Sequence, residues 1–308
     1  MSFYTGSGTT LAINEPRQGW GDSVGTGFQV VNYTSESLNE NVTKADEGSL
    51  LASKTATTRD LMSIDVGGSV SFILRPEFAD KLFEAALGKK DGDVYTLAGT
   101  NEDLPVFDIY VDRKAKKYVY SSAMISSMSL DCNAGDYVKG SFDVKAYQGS
   151  GVGTQAVETT PLSNPSYRCT SAKLSYGAGE LDITGCSISI NNSLEDAPKT
   201  YSSGLYAGKP QHGQRAVDIT IRMPYGSFPE SDFDLVYSTG YLGDTSIMQI
   251  SLEFSNGAGK EVKIEIPNLA ITAISNSVGG AGYIEQTFEG TALSVGEAEP
   301  ITITLTSK

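Results

Sequence analysis

The chain has very little histidine and cysteine: its 308 residues include one histidine and three cysteines. A single histidine, His212, excludes a histidine-rich zinc site or a relay of paired histidines. Three cysteines are too few for the disulfide framework of a small secreted protein, so the sequence predicts reduced thiols and leaves a Cys169–Cys186 bridge open. No segment approaches the roughly 18 consecutive apolar residues of a membrane-spanning helix.

Basic residues are also scarce, with 23 Lys and Arg against 37 Asp and Glu, for a net charge of −14. This balance argues against a protein that binds nucleic acid through its phosphates, which requires clusters of cations. The N-terminus has no basic segment followed by an apolar one, so we expect no secretory signal and folding in a cytoplasm.

Motifs for catalysis are missing as well. The sequence contains no GxSxG nucleophile elbow, and the GLYAGK segment ending at Lys209 is one residue short of a phosphate loop. Pro210 stands where that loop needs Ser or Thr to bind magnesium. We therefore predict a protein that is not an enzyme and that carries no cofactor and no metal.

An internal repeat is the clearest positive feature of the sequence. Residues 123–144 and 269–290 align without a gap, with Ile125, Met128 and Phe142 matching Ile271, Ile274 and Phe288. Each copy consists of two alternating segments joined by a Gly-containing turn, which is typical of a β-hairpin. The repeat predicts that the chain is duplicated.

The same order of elements is expected in both halves: strand, long polar loop, strand, helix, strand and closing hairpin. The helix candidates begin at Pro76 and near residue 227, and each has an apolar stripe at helical spacing. We expect a mainly β, α+β fold of two tandem antiparallel β-sandwich domains, each with one flanking helix. The predicted boundaries are 1–148, a Gly/Ser linker at 149–154, and 155–308 with an added C-terminal strand.

Two segments carry a family resemblance: SVSFILRPEFADKLFEAALG at 69–88, and ISSMSLDCNAGDYVKGSFDVKAYQG at 125–149. They resemble the tail tube proteins of long-tailed bacteriophages, and the match covers most of residues 28–149. The second half is similar only through the internal repeat. Subunits of this group usually carry one such domain, so a chain with two departs from the pattern.

The resemblance implies a virion protein that assembles into rings of six such domains, and rings that stack into a tail tube for DNA. With two domains per chain, three chains would complete a pseudo-sixfold ring. The expected partners are other copies of the chain, a tape-measure protein in the lumen, and the terminator and distal tail or baseplate proteins. Double-stranded DNA would pass without specific binding. The implied location is the phage tail, assembled in the host cytoplasm.

An acidic lumen would repel DNA, which carries a charge about every 1.7 Å along its axis, within a Debye length of about 8 Å. Alternation in the two closing hairpins places five charged residues on the polar face, and we expect them to line the channel. They are Asp131, Lys139, Asp143, Glu285 and Glu289.

The two long polar loops, 43–60 and 193–215, exceed the length of ordinary connections. In the family that the sequence resembles, such a loop reaches a neighbouring subunit or ring. The candidate contact residues are Lys44, Asp46, Glu47, Lys54, Arg59, Glu195, Asp196, Lys199, His212 and Arg215.

Trp20, the single tryptophan, lies between glycines and is expected to anchor the N-terminal arm by burying apolar surface. Two alternatives to a tube subunit are a carbohydrate- or receptor-binding adhesin-like β protein and another tail component, such as a distal tail or terminator protein.

Overall fold

The computed structural model describes residues 8–46, 59–99, 102–151, 159–176, 179–197, 200, 204–227, 247–277, 284–294 and 298–307. The fold is mainly β, as the sequence predicted, with large antiparallel sheets and one helix in the described residues. The second helix candidate, near residues 227–240, lies almost wholly outside the described part of the chain.

The strands of the first half follow the predicted order and bracket a single helix. They are β1 (Thr10–Ile13), β2 (Phe28–Val30), β3 (Tyr33–Glu36), β4 (Asn39–Asp46), β5 (Arg59–Ile73), β6 (Gly88–Asp91), β7 (Val94–Leu97), β8 (Phe107–Asp112), β9 (Lys117–Asn133), β10 (Lys139–Ala146) and β11 (Gln148–Gly151).

The strands of the second half continue in chain order. They are β12 (Thr159–Thr160), β13 (Arg168–Tyr176), β14 (Gly179–Leu181), β15 (Gly185–Asn191), β16 (Leu194–Glu195), β17 (Gln211–His212), β18 (Ala216–Pro224), β19 (Ile247–Ser255), β20 (Lys260–Ser277), β21 (Glu285–Ala292) and β22 (Thr302–Ser307).

Helix α1 spans Pro76–Leu87, as the Pro-Glu start and the apolar stripe predicted. Proline at the first helical position has no backbone donor to lose, and Gly88 ends the helix in a left-handed conformation with φ of 93°. Phe78, Leu82 and Phe83 are fully buried in the main core. The helix therefore packs its apolar stripe into the main core.

The strands form one long sheet and two shorter strand sets. The long sheet, called here the central sheet, is antiparallel and has the order β4–β5–β10–β9–β15–β18–β21–β20. In the first half, a shorter set has the order β2–β1–β8–β9–β11. The other shorter set has the order β14–β13–β19–β20–β22–β7–β6 and includes β6 and β7 of the first half. Strand β9 takes part in the central sheet and in the first shorter set, and β20 takes part in the central sheet and in the second.

The two halves are joined by strand pairing. Strand β15 pairs with β9 over its full length, and the C-terminal strand β22 pairs with β7 of the first half. One hydrophobic cluster contains residues of both halves. At the expected linker, residues 149–151 lie in β11, which pairs with β9, and residues 152–158 lie outside the described part.

The prediction of reduced thiols is wrong for two of the three cysteines. Cys132 and Cys169 form a disulfide with a Cα–Cα distance of 5.6 Å, and Cys186 is free and buried. Cys186 lies directly opposite Cys132 in the β15–β9 pair, but its thiol is not the bonded one. The sequence missed this pairing because the tertiary contact between β9 and β13, rather than chain spacing, brings these two cysteines together.

Candidate functional site: the polar face of the central sheet

The central sheet has one apolar face and one polar face, because alternate residues of each strand point to opposite sides. In β10, Phe142 and Val144 are buried, whereas Lys139 and Asp143 are exposed. Strand β21 has the same pattern, with Phe288 buried and Glu285 and Glu289 exposed. The apolar face contributes to the main core, and the polar face is the candidate functional surface.

All five residues predicted to line the channel lie on this polar face. Asp131 of β9 stands opposite Lys139 of β10, and on its other side it stands opposite Ser187 of β15. Ser187 in turn stands opposite Thr220 of β18, and Thr220 stands opposite Glu289 of β21. The registers thus bring the two predicted hairpins into one surface, although two strands separate them.

Sequence reasoning missed two charged residues of this face that belong to β18. Asp218 stands opposite Thr291 and accepts a hydrogen bond from its hydroxyl at 2.7 Å. Arg222 donates to the side-chain oxygen of Asn133 at 2.6 Å across the junction of the halves. The strict alternation of β18 is the signal that could have identified them.

Carboxylates outnumber cations on this face, and the cations are engaged. Lys139 forms an ion pair with Asp136, and Lys145 with Asp196 at 2.8 Å. The Lys139 ammonium holds the pKa of Asp136 below its usual range through a hydrogen bond. Among the acidic residues, Asp143 accepts a bond from the Ser127 hydroxyl at 2.8 Å. The face therefore presents a net negative charge that protein cations only partly neutralise.

Between the charged rows lies a row of serines. Ser71, Ser141, Ser129 and Ser189 stand opposite one another on four adjacent strands. The Ser129 and Ser141 hydroxyls are hydrogen-bonded at 2.9 Å. Short hydroxyl side chains satisfy each other across strands and leave the surface low and hydrated. Such a row offers no pocket and no bulky side chain to hold a ligand.

The described part of the second loop contacts the first half of the same chain. Lys209 forms an ion pair with Asp103 at 2.8 Å, and the His212 Nε2 atom lies 2.9 Å from the Glu102 carbonyl oxygen. Arg215 donates to the Leu87 carbonyl at 3.0 Å, at the C-terminus of α1. Burial lowers the pKa of Arg215 to about 10, although the residue carries the cation that a helix C-terminus favours. The loop thus bridges the junction of the two halves.

The remaining predicted loop residues have different surroundings. Asp46 and Arg59 form an exposed ion pair with each other at 2.5 Å, at the base of the first loop. Lys44 is exposed on β4, and Glu195 is exposed on β16. Asp196 accepts the Lys145 ammonium. Glu47, Lys54 and Lys199 lie outside the described residues.

Trp20 is half-buried against the first half and the second loop. It packs on a small apolar cluster that contains Leu104, Met124 and Leu194, and its ring meets Tyr147 edge-on at 5.9 Å between centroids. Its indole nitrogen lies 3.4 Å from the Ala207 carbonyl oxygen. These contacts connect the N-terminal arm to both halves.

The described residues contain no group of three or more His, Cys, Asp or Glu side chains that could hold a metal ion. None of the helices in that part of the chain is long and apolar enough to cross a membrane. What the surface offers chemically is a broad, hydrated and acidic sheet face.

A family model described as phage tail tube protein matches residues 6–292, which is most of the chain. No curated protein matches the sequence.

Proposed function

The chain belongs to the phage tail tube protein family and is a structural component of the virion tail, and we propose that it forms stacked rings of three chains around a DNA channel. In this proposal each half is one tube domain, divided near residues 149–154. Three chains then supply the six domains of a pseudo-sixfold ring. The protein acts by assembly and not as an enzyme.

One observation carries the proposal: both halves contribute four strands in the same order to one sheet. The first half supplies β4–β5–β10–β9 and the second supplies β15–β18–β21–β20. Antiparallel sheets close into barrels when the strand number and tilt are compatible. Eight strands per chain give about 24 strands for three chains, a size that suits a wide barrel.

The dimensions of such a barrel suit a conduit. At about 4.8 Å between strands and a tilt of about 40°, 24 strands give a circumference of roughly 150 Å and a backbone diameter near 48 Å. After side chains are subtracted, the opening is roughly 40 Å across. That width admits hydrated duplex DNA or an extended tape-measure protein.

The polar face is proposed as the lumen wall because its charge suits passage without binding. Asp131, Asp143, Glu285 and Glu289 are the acidic residues predicted from the sequence, and Asp218 adds to them. DNA phosphates within about 8 Å of this wall feel unscreened repulsion, which discourages sticking. The apolar face packs inside the domain and is not available to the lumen.

Partners follow from this role. The chain's main partner is itself, and the two long loops are proposed to strengthen contacts between domains or rings. The tape-measure protein would occupy the lumen, and terminator and distal tail proteins would cap the tube ends. Assembly would take place in the host cytoplasm.

Electron microscopy of the purified chain tests the proposal. We expect tubes or stacked rings with an open centre. Dispersed single particles that bind a glycan would instead indicate an adhesin-like protein, and single rings that never stack would indicate a terminator or distal tail protein. Either result would contradict the tube function.

A further inference from the structure

Resting on the proposed tube function, we propose that β4 of one chain pairs with the outer edge of β20 of a second copy. The register of this pairing is the same as that of the β9–β15 pairing within one chain. The partner is the chain itself, and the contact is a continuous antiparallel sheet with Asn39 opposite Ser275. The junction between β9 and β15 is the template.

The template is the pairing of β15 with β9 within one chain. Strand β15 lies antiparallel to β9 with Ser187 opposite Asp131, Ser189 opposite Ser129 and Asn191 opposite Ser127. Just beyond the strand, the backbone amide of Asn192 donates to the Ser126 carbonyl at 2.9 Å. In the order of the central sheet, this junction joins β9, the last of the four strands from the first half, to β15, the first of the four strands from the second half.

The facing residues in the strand pairs of the first half have equivalents that also face each other in the second half. In the first half, Asp143 stands opposite Ser69 and Ser127; in the second, Glu289 stands opposite Thr220 and Ala273. Strand β4 corresponds to β15 in the same way: Asn39 faces Gly67, and Ser189 faces Asp218.

Even an irregularity recurs. Each closing hairpin has a register shift that leaves one residue unpaired, Ser126 in β9 and Thr272 in β20. Each of these hydroxyls donates to a carbonyl of the facing strand at 3.1 Å, that of Asp143 or of Glu289. Bulges fix strand bend and register, so a shared bulge means that both last strands present the same edge.

In the described part of a single chain, β9 and β15 pair with each other, whereas the equivalent edges of β20 and β4 have no strand partner. Strand β4 pairs with β5 on one side and has no strand partner on the other among the described residues. Residues 271–277 of β20 pair with β21 alone in the same part of the structure. Exposed, unpaired strand edges are templates for pairing with another chain.

Equivalent positions also differ in burial. Side chains on β9 and at the end of β15, strands that pair with each other, are buried, whereas their equivalents on β20 and β4, which lack that neighbouring strand, are more exposed. Ile125 and Met128 of β9 are 0% and 1% exposed, whereas their equivalents Ile271 and Ile274 are only partly buried. On the other edge, Asn192 is 0% exposed and its equivalent Val42 is 49% exposed. Apolar side chains that remain exposed at two complementary edges indicate surfaces that assembly covers.

The template then sets the contact between chains. In one copy, the positions of Ser189, Asn191 and the Asn192 backbone amide are taken by Asn39, Asn41 and the Val42 backbone amide. Across the junction they meet Ser275, Ala273 and the Thr272 carbonyl of the second copy. Because β4 and β20 are complementary and not identical, the contact is head-to-tail, and rings close by repeating it.

Disulfide trapping tests this register. Asn39→Cys and Ser275→Cys are introduced together, and both wild-type side chains are exposed on the polar face in the free chain. Facing Cα atoms of paired strands lie about 4.5–5.5 Å apart, within the range that a disulfide spans. After mild oxidation of assembled tubes, we expect most chains to migrate in a non-reducing gel as a ladder that ends at three, and to collapse to one band on reduction.

Matched variants define the controls. Thr43→Cys with Ser275→Cys shifts one thiol four residues along β4, about 13 Å, and should trap at least tenfold less. Ser189→Cys with Ser129→Cys crosslinks the internal junction and should give no ladder. Tubes visible by microscopy in which the Asn39 pair does not trap, or the Thr43 pair traps as well, would overturn the register and leave the tube function intact.

A ladder that ends at six chains would keep the register but refute rings of three. A chain that forms no rings or tubes by microscopy would refute the proposed function, and this inference with it.

Discussion

At the scale of single residues, one buried carboxylate stands out by the number of its hydrogen-bond donors. Asp108 is fully buried, and its carboxylate accepts bonds from the Asn14 amide, the Arg17 guanidinium and the backbone amides of Gly25 and Ser122. This network ties the N-terminal arm to β8. A buried carboxylate with this many donors cannot be removed without leaving several of them unpaired.

We therefore expect Asp108→Ala to lower the free energy of unfolding by about 3 kcal/mol, because it leaves a partly buried guanidinium without its counter-ion and several buried donors unpaired. Urea unfolding of the purified chain measures the change. The matched variant Asp112→Ala removes a partly exposed carboxylate 3.8 Å from Lys117 and should cost about 1 kcal/mol or less. Equal losses for the two variants would contradict the role given to the buried network.

Cys186 provides a pH-dependent prediction. Burial raises the pKa of its thiol to about 12, so the reactive thiolate is almost absent in the folded chain near pH 8. In the unfolded chain the thiol returns to a pKa of about 8.5 and becomes reactive. We expect no alkylation by iodoacetamide at pH 8 under native conditions and one modified cysteine in urea without reductant. Three modified cysteines in urea would contradict the Cys132–Cys169 bond.

At the scale of elements, an unpaired edge strand has to be protected or used. Strand β4 exposes Val42, and the neighbouring start of β5 exposes Leu61 and Met62, which are 39% and 52% accessible. Edge strands often carry charges or bulges that discourage pairing, and β4 carries Glu40, Lys44 and Asp46 and a register shift after Thr43. Val42 is the exposed apolar side chain among them, and the proposed pairing with a second copy would cover it.

Val42→Lys should then block assembly without unfolding the chain, because it places a cation in the proposed junction but in solvent in the free chain. We expect at least a tenfold rise in the concentration needed to form tubes, followed by light scattering, with an unchanged urea midpoint. The control Val24→Lys changes a valine of similar exposure, 44%, in the N-terminal arm. Normal tubes from Val42→Lys would rule out this edge.

The sequence could predict the elements but not all of their neighbours. Helix α1 and the hairpins β9–β10 and β20–β21 were predictable because alternation, turn glycines and helix-start signals act within a few residues. The β9–β15 pairing was not, since it joins residues about 60 positions apart through tertiary packing. For the same reason the sequence identified acidic faces on two hairpins but missed β18 between them.

At the scale of the whole molecule, part of the net charge of −14 lies on the polar face of the central sheet. This face gathers carboxylates from both halves, and it is the proposed wall of the DNA channel. A wall that repels phosphates lowers friction, and it does so less effectively as salt rises.

Replacing Glu285 and Glu289 together with Lys should make the tubes bind duplex DNA. Each ring would gain lysines at the proposed wall, and phosphate contacts by cations produce salt-dependent affinity. Co-sedimentation of short duplexes with tubes measures it, with binding expected at 50 mM salt and lost by about 500 mM. Asp91→Lys with Asp93→Lys makes the same charge change at the β6–β7 turn and should not bind DNA inside the tube. Equal binding by both variants would contradict the lumen assignment.

In the proposed ring, one chain supplies two of the six domains. Native mass spectrometry of single rings, released from tubes by mild treatment, tests this stoichiometry. We expect a mass of three times the 32.7 kDa chain. A ring of six full-length chains would contradict it.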